Sequence, residues 1–478
     1  MAERATATRD VIVVGAGPAG SALAIELASG GLDVLLVDAA RFPRDKTCGD
    51  YVSPRGLARL DALGCGPRVR ALGCTPIRRS RLYLGRDELV SGTLPEVAGL
   101  PPYGHAVPRL ELDHVLFQRA LEAGAVAREE YRVTGFEHTA RGVEVVGTLA
   151  GRPHREHGRI VIGADGATSA IARAAGLRMT DARYTLASIR AYARGLTLDH
   201  TIMYFDRTYF PGYGWVFPVR PGLCNVGVGM VSESLGRGGL ALPDFFARFR
   251  GLCAKLGRAH GVTVEIGPQR GWPIRTYGGA RRNYFDRGLL IGEAGCLVDP
   301  LNGEGIPLAL DSAHLAARTI RAAFRRGQFA AGDLAGYEAD WRAAFDPDLA
   351  VSDLIVSMIR NRRFLPLWLS ALRMTSHVAR HDPRYAAVTG GILGGVVPTR
   401  RGLTPEMFLR TLALAPSYLR EASGGSVTGW LALGQGWLRG HVELARALVE
   451  DGPGLVAWLR EIEAKQRKVV RSAGSRAG

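Results

Sequence analysis

The chain opens on an apolar run, Val11-Ile12-Val13-Val14, that ends at a glycine-rich turn, and the same succession recurs twice further on. A β-branched run bounded by glycine reads as a strand. After the turn, Ser21 to Ala28 reads as a helix, and a second apolar run, Val34-Leu35-Leu36-Val37, follows and ends in Asp38. Strand, turn, helix and strand within about thirty residues make a βαβ unit. Arg159-Ile160-Val161-Ile162 enters a second turn, Gly163 to Ser169, with Val143-Glu144-Val145-Val146 as its hairpin partner. Gly288-Leu289-Leu290-Ile291 enters a third, which runs through Asp299 to Ile306 into a helix carrying Ala309, Ala313, Ala316 and Ala317. Between these units, Ser53 is placed to cap a helix with Pro54 at its first position, and Arg109 begins an amphipathic helix through Ala123.

From Tyr184 to about Gln269 the pattern changes to strand-like segments: Ser188 to Arg194, His200 to Phe205, Tyr209 to Pro218 and Cys224 to Met230. From about Leu334 it becomes mostly helical. The expected fold is α/β: a Rossmann-type nucleotide-binding domain, an inserted antiparallel-sheet domain and a helical C-terminal region. The predicted boundaries are 1–80, 105–183 and 275–335 for the discontinuous first domain, 81–104 and 184–274 for the sheet-based domain, and 336–478 for the helical region.

Composition narrows the function classes. The chain has 478 residues, 47% of them hydrophobic and 22% charged, as a folded globular protein does. Its formal charge is +16, yet only Lys46, Lys255, Lys465 and Lys468 are lysines. So arginine-biased a composition points to genome composition rather than to a nucleic-acid site, and no nucleic-acid motif accompanies it. Attraction to anionic substrates or to an anionic membrane surface stays open. The six cysteines form no Cys-x-x-Cys pair, no metal-ligand set is expected, and Met1 to Arg9 lacks the apolar core of a signal peptide. A cytoplasmic location is expected. No apolar run reaches the roughly eighteen residues that span a bilayer.

The first turn, Gly15-x-Gly17-x-x-Gly20, carries its own chemistry. Gly15 permits the tight turn, Gly17 lets backbone approach a pyrophosphate, and Gly20 lets helix and strand pack closely. The pyrophosphate would sit on N–H groups at the helix start, Ala19 among them, and Asp38 would accept from a ribose hydroxyl. This motif alone does not distinguish NAD from FAD. All three turns can face one ligand if their strands share a sheet.

Together with Gly163-Ala164-Asp165-Gly166-x-x-Ser169 and Gly292-Glu293-Ala294-Gly295…Pro300…Gly303-x-Gly305, this turn resembles the FAD-dependent oxidoreductases of the aromatic-hydroxylase fold group, over roughly residues 10 to 330. The resemblance implies FAD as cofactor. It implies Arg109 near the pyrophosphate, Val133 offering backbone to the adenine, and Asp165 behind the cofactor, linking the two phosphate-side loops. Glu293 stands where the family most often has aspartate on the ribityl chain. Gly305 and Ile306 would bring N–H groups to the flavin pyrimidine edge.

Two further segments, Lys46-Thr47-Cys48-Gly49-Asp50 and Pro211-Gly212-Tyr213-Gly214-Trp215-Val216-Phe217-Pro218, resemble the geranylgeranyl reductase family. The second is read against that family's Pro-x-x-Tyr-x-Trp-x-Phe-Pro pattern. The resemblance implies a reductase of carbon–carbon double bonds in polyprenyl chains, an apolar small-molecule substrate, and NADPH or another external electron donor. Cys48, Tyr213 and Trp215 are the candidate catalytic residues. Cys48 has three readings: a proton donor or redox group, a cofactor-loop contact together with Gly49, or an inert thiol. Tyr213, Trp215 and Phe217 share one face of a strand, and either line the substrate site or pack the core of the sheet domain. A monooxygenase that hydroxylates or epoxidises shares all three FAD motifs and is the alternative. A flavin-binding scaffold without catalysis is a third reading. A halogenase would want two tryptophans in the aromatic strand and a lysine between the two sites, and no lysine lies between 46 and 255. In the helical region, Phe364 to Leu369, Trp430 to Leu433 and Leu455 to Leu459 combine apolar spacing with flanking arginines. Either they pack on the protein itself or they make a peripheral membrane contact.

Overall fold

In the computed structural model the apolar runs of the first domain join one sheet. The structure describes residues 8–236, 239–278, 282–429 and 452–474, with the single positions 431, 435 and 442. The strand order is Tyr284–Phe285, Gly288–Leu290, Arg152–Gly163, Arg9–Val14, Val34–Val37, Val126–Arg128. All neighbours from Gly288–Leu290 to Val126–Arg128 run parallel. The hairpin of Tyr131–His138 and Val143–Leu149 continues from Arg152–Gly163 in antiparallel pairing.

Register decides where the turns lie. Val14 pairs with both Val37 and Gly163, and Gly163 pairs with Leu290, so these strands end side by side. Helices Pro18–Ser29, Arg109–Glu122 and Ile306–Arg326 pack over the sheet through Leu23, Leu27, Leu116, Ala313, Ala317 and Ile320. Helix Gly336–Ile359, expected in the C-terminal region, buries Tyr337, Trp341, Phe345 and Leu349 in that same core. Burial of each such side chain contributes about 1.5–3 kcal/mol, which outweighs the division read from the sequence. Helix Pro54–Ala62 starts after Ser53 as predicted, but the buried Ser53 side chain makes no capping hydrogen bond.

The second sheet runs Glu265–Ile266, Thr185–Arg194, Leu223–Val231, Tyr213–Arg220, His200–Phe205, Arg79–Leu84, Asp87–Thr93, and Arg270–Arg275 also pairs with Thr185–Arg194. It is mostly antiparallel, with His200–Phe205 and Arg79–Leu84 the parallel pair. Helix Leu242–Ala259 covers one face through Phe245, Phe246 and Phe249. Along Tyr213–Arg220 the pleat sends Val216 into that core, and a Cβ on Gly214 would stand 2.7 Å from Phe249.

Beyond residue 360 the structure is helical, with Leu365–His381, Pro383–Leu393, Pro405–Ala422 and Gly452–Gly474. Two of the three segments singled out for membrane contact turn their aromatic rings inward. Phe364 stacks on Trp458 at 5.2 Å and tilts against Trp368. The Trp368 and Trp458 ring N–H groups donate to the carbonyls of Asn361 (3.0 Å) and Ser357 (2.9 Å). Trp430-Leu431-Ala432-Leu433 lies outside the described residues apart from Leu431. Leu367, Leu431, Val456 and Leu459 of these segments are exposed, and so are Phe408, Leu409, Leu412 and Leu419, which recur at helical spacing along Pro405–Ala422. Among the described residues no helix is long and apolar enough to cross a membrane.

Candidate active site

At the carboxyl ends of the first sheet, backbone hydrogen bonds tie the start of each glycine turn to the end of the neighbouring strand. Gly15 N–H donates to Val37 O (2.7 Å), Ala164 N–H to Val14 O (2.8 Å), and Ile291 N–H to Gly163 O (2.9 Å). The three turns therefore converge on one cavity of about 1070 Å³. Gly15 has φ +102°, and a Cβ there would stand 2.4 Å from Ala164 O. A Cβ on Gly20 would stand 1.8 Å from Gly15 O. Gly17 differs: its Cβ would find space, with only the Arg109 and Arg44 guanidinium groups nearby, each at 3.7 Å. The N–H groups of Gly17, Ala19 and Gly20 have no acceptor among the described residues. Free N–H groups at a helix start flanked by two arginines form a cradle for an anion.

Arg109 makes a bidentate pair with the buried Asp113 (2.6 and 2.7 Å), and Arg44 donates to the same carboxylate (2.8 Å). Asp113 thus fixes both guanidinium groups beside Gly17. Arg44 was not singled out from the sequence, because its polar connector has no periodicity. Asp38 accepts from Ala16 N–H and Ala40 N–H, both at 2.9 Å, and lines the cavity. Val133 lines it further along, in strand Tyr131–His138. The Asp165 side chain does not join the two phosphate-side loops as expected. It accepts from Ser169 Oγ and from Ala170 N–H (2.6 Å), capping its own short helix, because those N–H groups are the nearest unsatisfied donors. The link between the loops runs through the backbone of Val14 and Ala164.

At the other end, Glu293 accepts from Arg275 N–H (3.1 Å), with Lys46 Nζ at 3.8 Å. Gly305 caps helix Ile306–Arg326, and the N–H groups of Gly305 and Ile306 have no acceptor among the described residues. Tyr213, Trp215 and Phe217 line this part of the cavity, with neighbouring rings 6.2 Å apart. The three rings face the cavity while Gly214 and Val216 meet the core of the sheet domain, and Phe217 also packs against Ile77, Ala106 and Val219. The proline ahead of Tyr213 is Pro211, two residues before it, so the match to Pro-x-x-Tyr-x-Trp-x-Phe-Pro holds only from Tyr213 onward.

A polar network backs the aromatic wall. Trp215 Nε1 donates to Asn225 Oδ1 (2.9 Å), while Asn225 Nδ2 donates to Cys48 O (2.9 Å) and Asp50 Oδ2 (2.7 Å). Tyr192 also donates to Asp50 Oδ2 (2.6 Å), and Asp50 Oδ1 is buried without a partner. Burial pushes the Asp50 carboxyl up to about 6, against the opposing pull of Tyr192, Asn225 and Arg190. The Cys48 thiol faces the Arg109 guanidinium, and a Cβ on Gly49 would stand 3.2 Å from Phe217. Asp50 lay in plain view in the Lys46–Asp50 segment, but its partners come from strands far along the chain. Gly394 and Gly395, also missed, close the cavity from the C-terminal region, and Asn302 Nδ2 reaches Ile392 O (3.2 Å).

Comparison with known proteins agrees with this geometry. The family model described as FAD binding domain matches residues 8–346. Menaquinone reductase of Mycobacterium tuberculosis is 35% identical over 325 residues, covering 65% of this chain and 76% of that protein. Digeranylgeranylglycerophospholipid reductase 1 of Methanopyrus kandleri is 33% identical over 356 residues, covering 70% and 86%. Among solved structures, a geranylgeranyl bacteriochlorophyll reductase-like protein of Thermoplasma acidophilum superposes with a TM-score of 0.69 at 21% identity, covering 87% of this chain and 99% of that one. A flavin-dependent brominase superposes at 0.65 with 20% identity, covering 87% and 100%, so the fold is common to more than one chemistry.

Two outcomes follow from the site. Gly17→Val should be folded but colourless, since its side chain fills the cradle and touches no backbone, whereas Gly20→Ala should fail to fold; absorbance of bound flavin and thermal melting check both. The second concerns Asp50, whose folded-state value of about 6 exceeds the ordinary 3.8. Folding then favours the protonated acid, so stability falls as pH rises from about 4 through 6, by roughly 3 kcal/mol. Asp50→Asn should melt above wild type at pH 8 and coincide with it near pH 4. An unchanged difference across that range would count against the assignment.

Proposed function

The chain belongs to the geranylgeranyl reductase family of FAD-dependent oxidoreductases, and from that membership we propose that it saturates carbon–carbon double bonds in the polyprenyl part of an apolar substrate. One observation carries this reading: the aromatic face of Tyr213–Arg220 lines the same cavity as the three glycine turns. Bound FAD supplies the hydride equivalent; the protein supplies position, exclusion of water and a proton.

Each residue's part follows from its surroundings. Gly15 and Gly20 shape the first turn, while Gly17, Ala19 and the two arginines hold the pyrophosphate. Asp38 would hold the ribose, Val133 the adenine, and Glu293 the ribityl chain. The free N–H groups of Gly305 and Ile306 would hold the pyrimidine edge of a bound flavin and stabilise negative charge there. Cys48 and Gly49 form the loop between Arg109 and the aromatic wall, which favours a cofactor-loop role for Cys48. Tyr213, Trp215 and Phe217 bury the apolar chain and set its register. Burial pushes the Tyr213 phenol up to about 12, which weakens it as an acid. NADPH or another external donor would supply the electrons. The names of the relatives support the substrate class: menaquinone and digeranylgeranylglycerophospholipid differ in head group and share a polyprenyl chain.

The test is anaerobic turnover of polyprenyl alcohols and menaquinone with a chemical reductant, followed by air reoxidation and mass spectrometry. A stable gain of two hydrogens is expected. Strict oxygen dependence with a gained oxygen would assign the chain to the monooxygenases instead, and flavin that no donor bleaches would leave a binding scaffold.

A peripheral membrane contact suits so insoluble a substrate. The exposed face of Pro405–Ala422, with Phe408 and Leu409 each 63% exposed and the exposed Arg384, Arg401 and Arg420 on the same lobe, has the make-up of an interfacial helix. Pelleting with anionic liposomes should weaken with salt, since the Debye length is about 8 Å at physiological ionic strength. Phe408→Asp with Leu412→Asp should abolish it. Negligible wild-type pelleting at all salt concentrations would remove the membrane from the account.

A further inference from the structure

Resting on the reductase reading, we propose that Glu304 is the acid that protonates the substrate carbon opposite the one receiving hydride. Saturating an alkene takes two electrons and two hydrogens. A hydride equivalent from the reduced cofactor forms one C–H bond, a proton forms the other, and the π bond breaks. The cofactor is thereby oxidised and the alkene reduced. Glu304 is left as a carboxylate, which water reprotonates.

Geometry singles out Glu304 at the substrate end of the cavity. It lies between Gly303 and Gly305, on the loop whose next N–H groups are free, and lines the cavity with Tyr213 and Gly395. The loop is rigid: Glu304 N–H donates to Asn302 Oδ1 (2.9 Å), Asp299 N–H donates to Glu304 O (3.0 Å), and Tyr213 donates to Asn302 O (3.2 Å). The carboxyl packs against Gly395, where a Cβ would stand 2.2 Å from Oε1, and Oε1 is buried without a hydrogen-bond partner. A buried carboxyl oxygen without a partner favours the protonated acid. The rival donors are worse placed, since the Cys48 thiol faces Arg109 and the Asp50 carboxyl is engaged by Tyr192 and Asn225.

Burial is the main cause that raises the Glu304 acid to about 7, a value suited to giving up a proton at neutral pH. The facing groups are Tyr51 and Ser53, Arg55 from helix Pro54–Ala62, Asp299 from its own loop, Asp311 from helix Ile306–Arg326, and Asp348 from helix Gly336–Ile359 across an adjoining small cavity. The Ser53 hydroxyl and the Arg55 charge lower the value, whereas Asp299 and Asp311 raise it.

The experiment follows anaerobic reoxidation of reduced holoenzyme by geranylgeraniol in micelles, from pH 5.5 to 9. Wild type should slow as pH rises through about 7. Glu304→Gln should be about a hundredfold slower with no such limb. Glu304→Asp should recover part of the rate, and FAD content and the rate of flavin reduction should be unchanged. Arg55→Gln should move the limb to higher pH. Without substrate, difference infrared spectroscopy should find a carboxyl band titrating near neutrality that Glu304→Gln removes. A glutamine variant with the wild-type rate and limb would overturn the proposal, as would a limb that Arg55→Gln leaves in place should the glutamine variant lose FAD. A wild type that reduces no alkene refutes the reductase reading, whereas absence of the infrared band refutes the acid assignment on its own.

Discussion

Three parallel strands that end in register are the constraint on which the site depends. Because Val14, Gly163 and Leu290 stop side by side, their outgoing turns must crowd together, and backbone hydrogen bonds between each turn and the next strand hold them there. Crowding explains the glycines. Gly15 and Gly20 are required by backbone already within bonding-contact range of any side chain, while Gly17 is required by what must fit beside it. Ligands of open α/β sheets sit at this edge because only there are strand carbonyl ends and helix N–H ends both unfilled. Asp113 extends the same logic by anchoring Arg44 and Arg109, so that two positive charges wait in place without needing to be ordered on binding.

The cavity walls are less stable than a fold alone would require. Asp50, Asp299 and Glu304 are buried carboxyl groups raised toward neutrality by desolvation, and two of them keep an oxygen without a partner. A core selected for stability would replace or pair such groups. Asp50 and Glu304 line the main cavity and Asp299 the small one beside it, with Asn225 connecting Asp50 to the indole of Trp215.

A single strand separates core from cavity in the second sheet. Period-two alternation sends Gly214 and Val216 against helix Leu242–Ala259 and leaves the three aromatic rings facing the nucleotide turns. Two sheets from distant parts of the chain thus share one cleft, and the C-terminal helices close it through Gly394 and Gly395, whose lack of side chains lets Leu94 and Glu304 approach.

Local pattern made the nucleotide fold legible. Strand–glycine–helix junctions and period-two aromatic spacing are written in neighbouring residues, so Gly15, Gly17, Asp38 and the aromatic face could be named from pattern, while Arg109, Glu293 and Gly305 were named through the family resemblance. Domain division was less legible, because helix Gly336–Ile359 joins the first core by its apolar face and no local signal says which core a helix will join. The Trp368 and Trp458 rings pack inward for the same reason. The sequence by itself determined which glycine turns follow strands and open helices and which residues alternate on a strand. Only the tertiary structure decided that Arg44 stands beside Gly17, that Asp50 meets Tyr192 and Asn225, and that Glu304 lies under Gly395. Those partners are far apart in the chain, and burial and hydrogen bonding between them leave no local period to read.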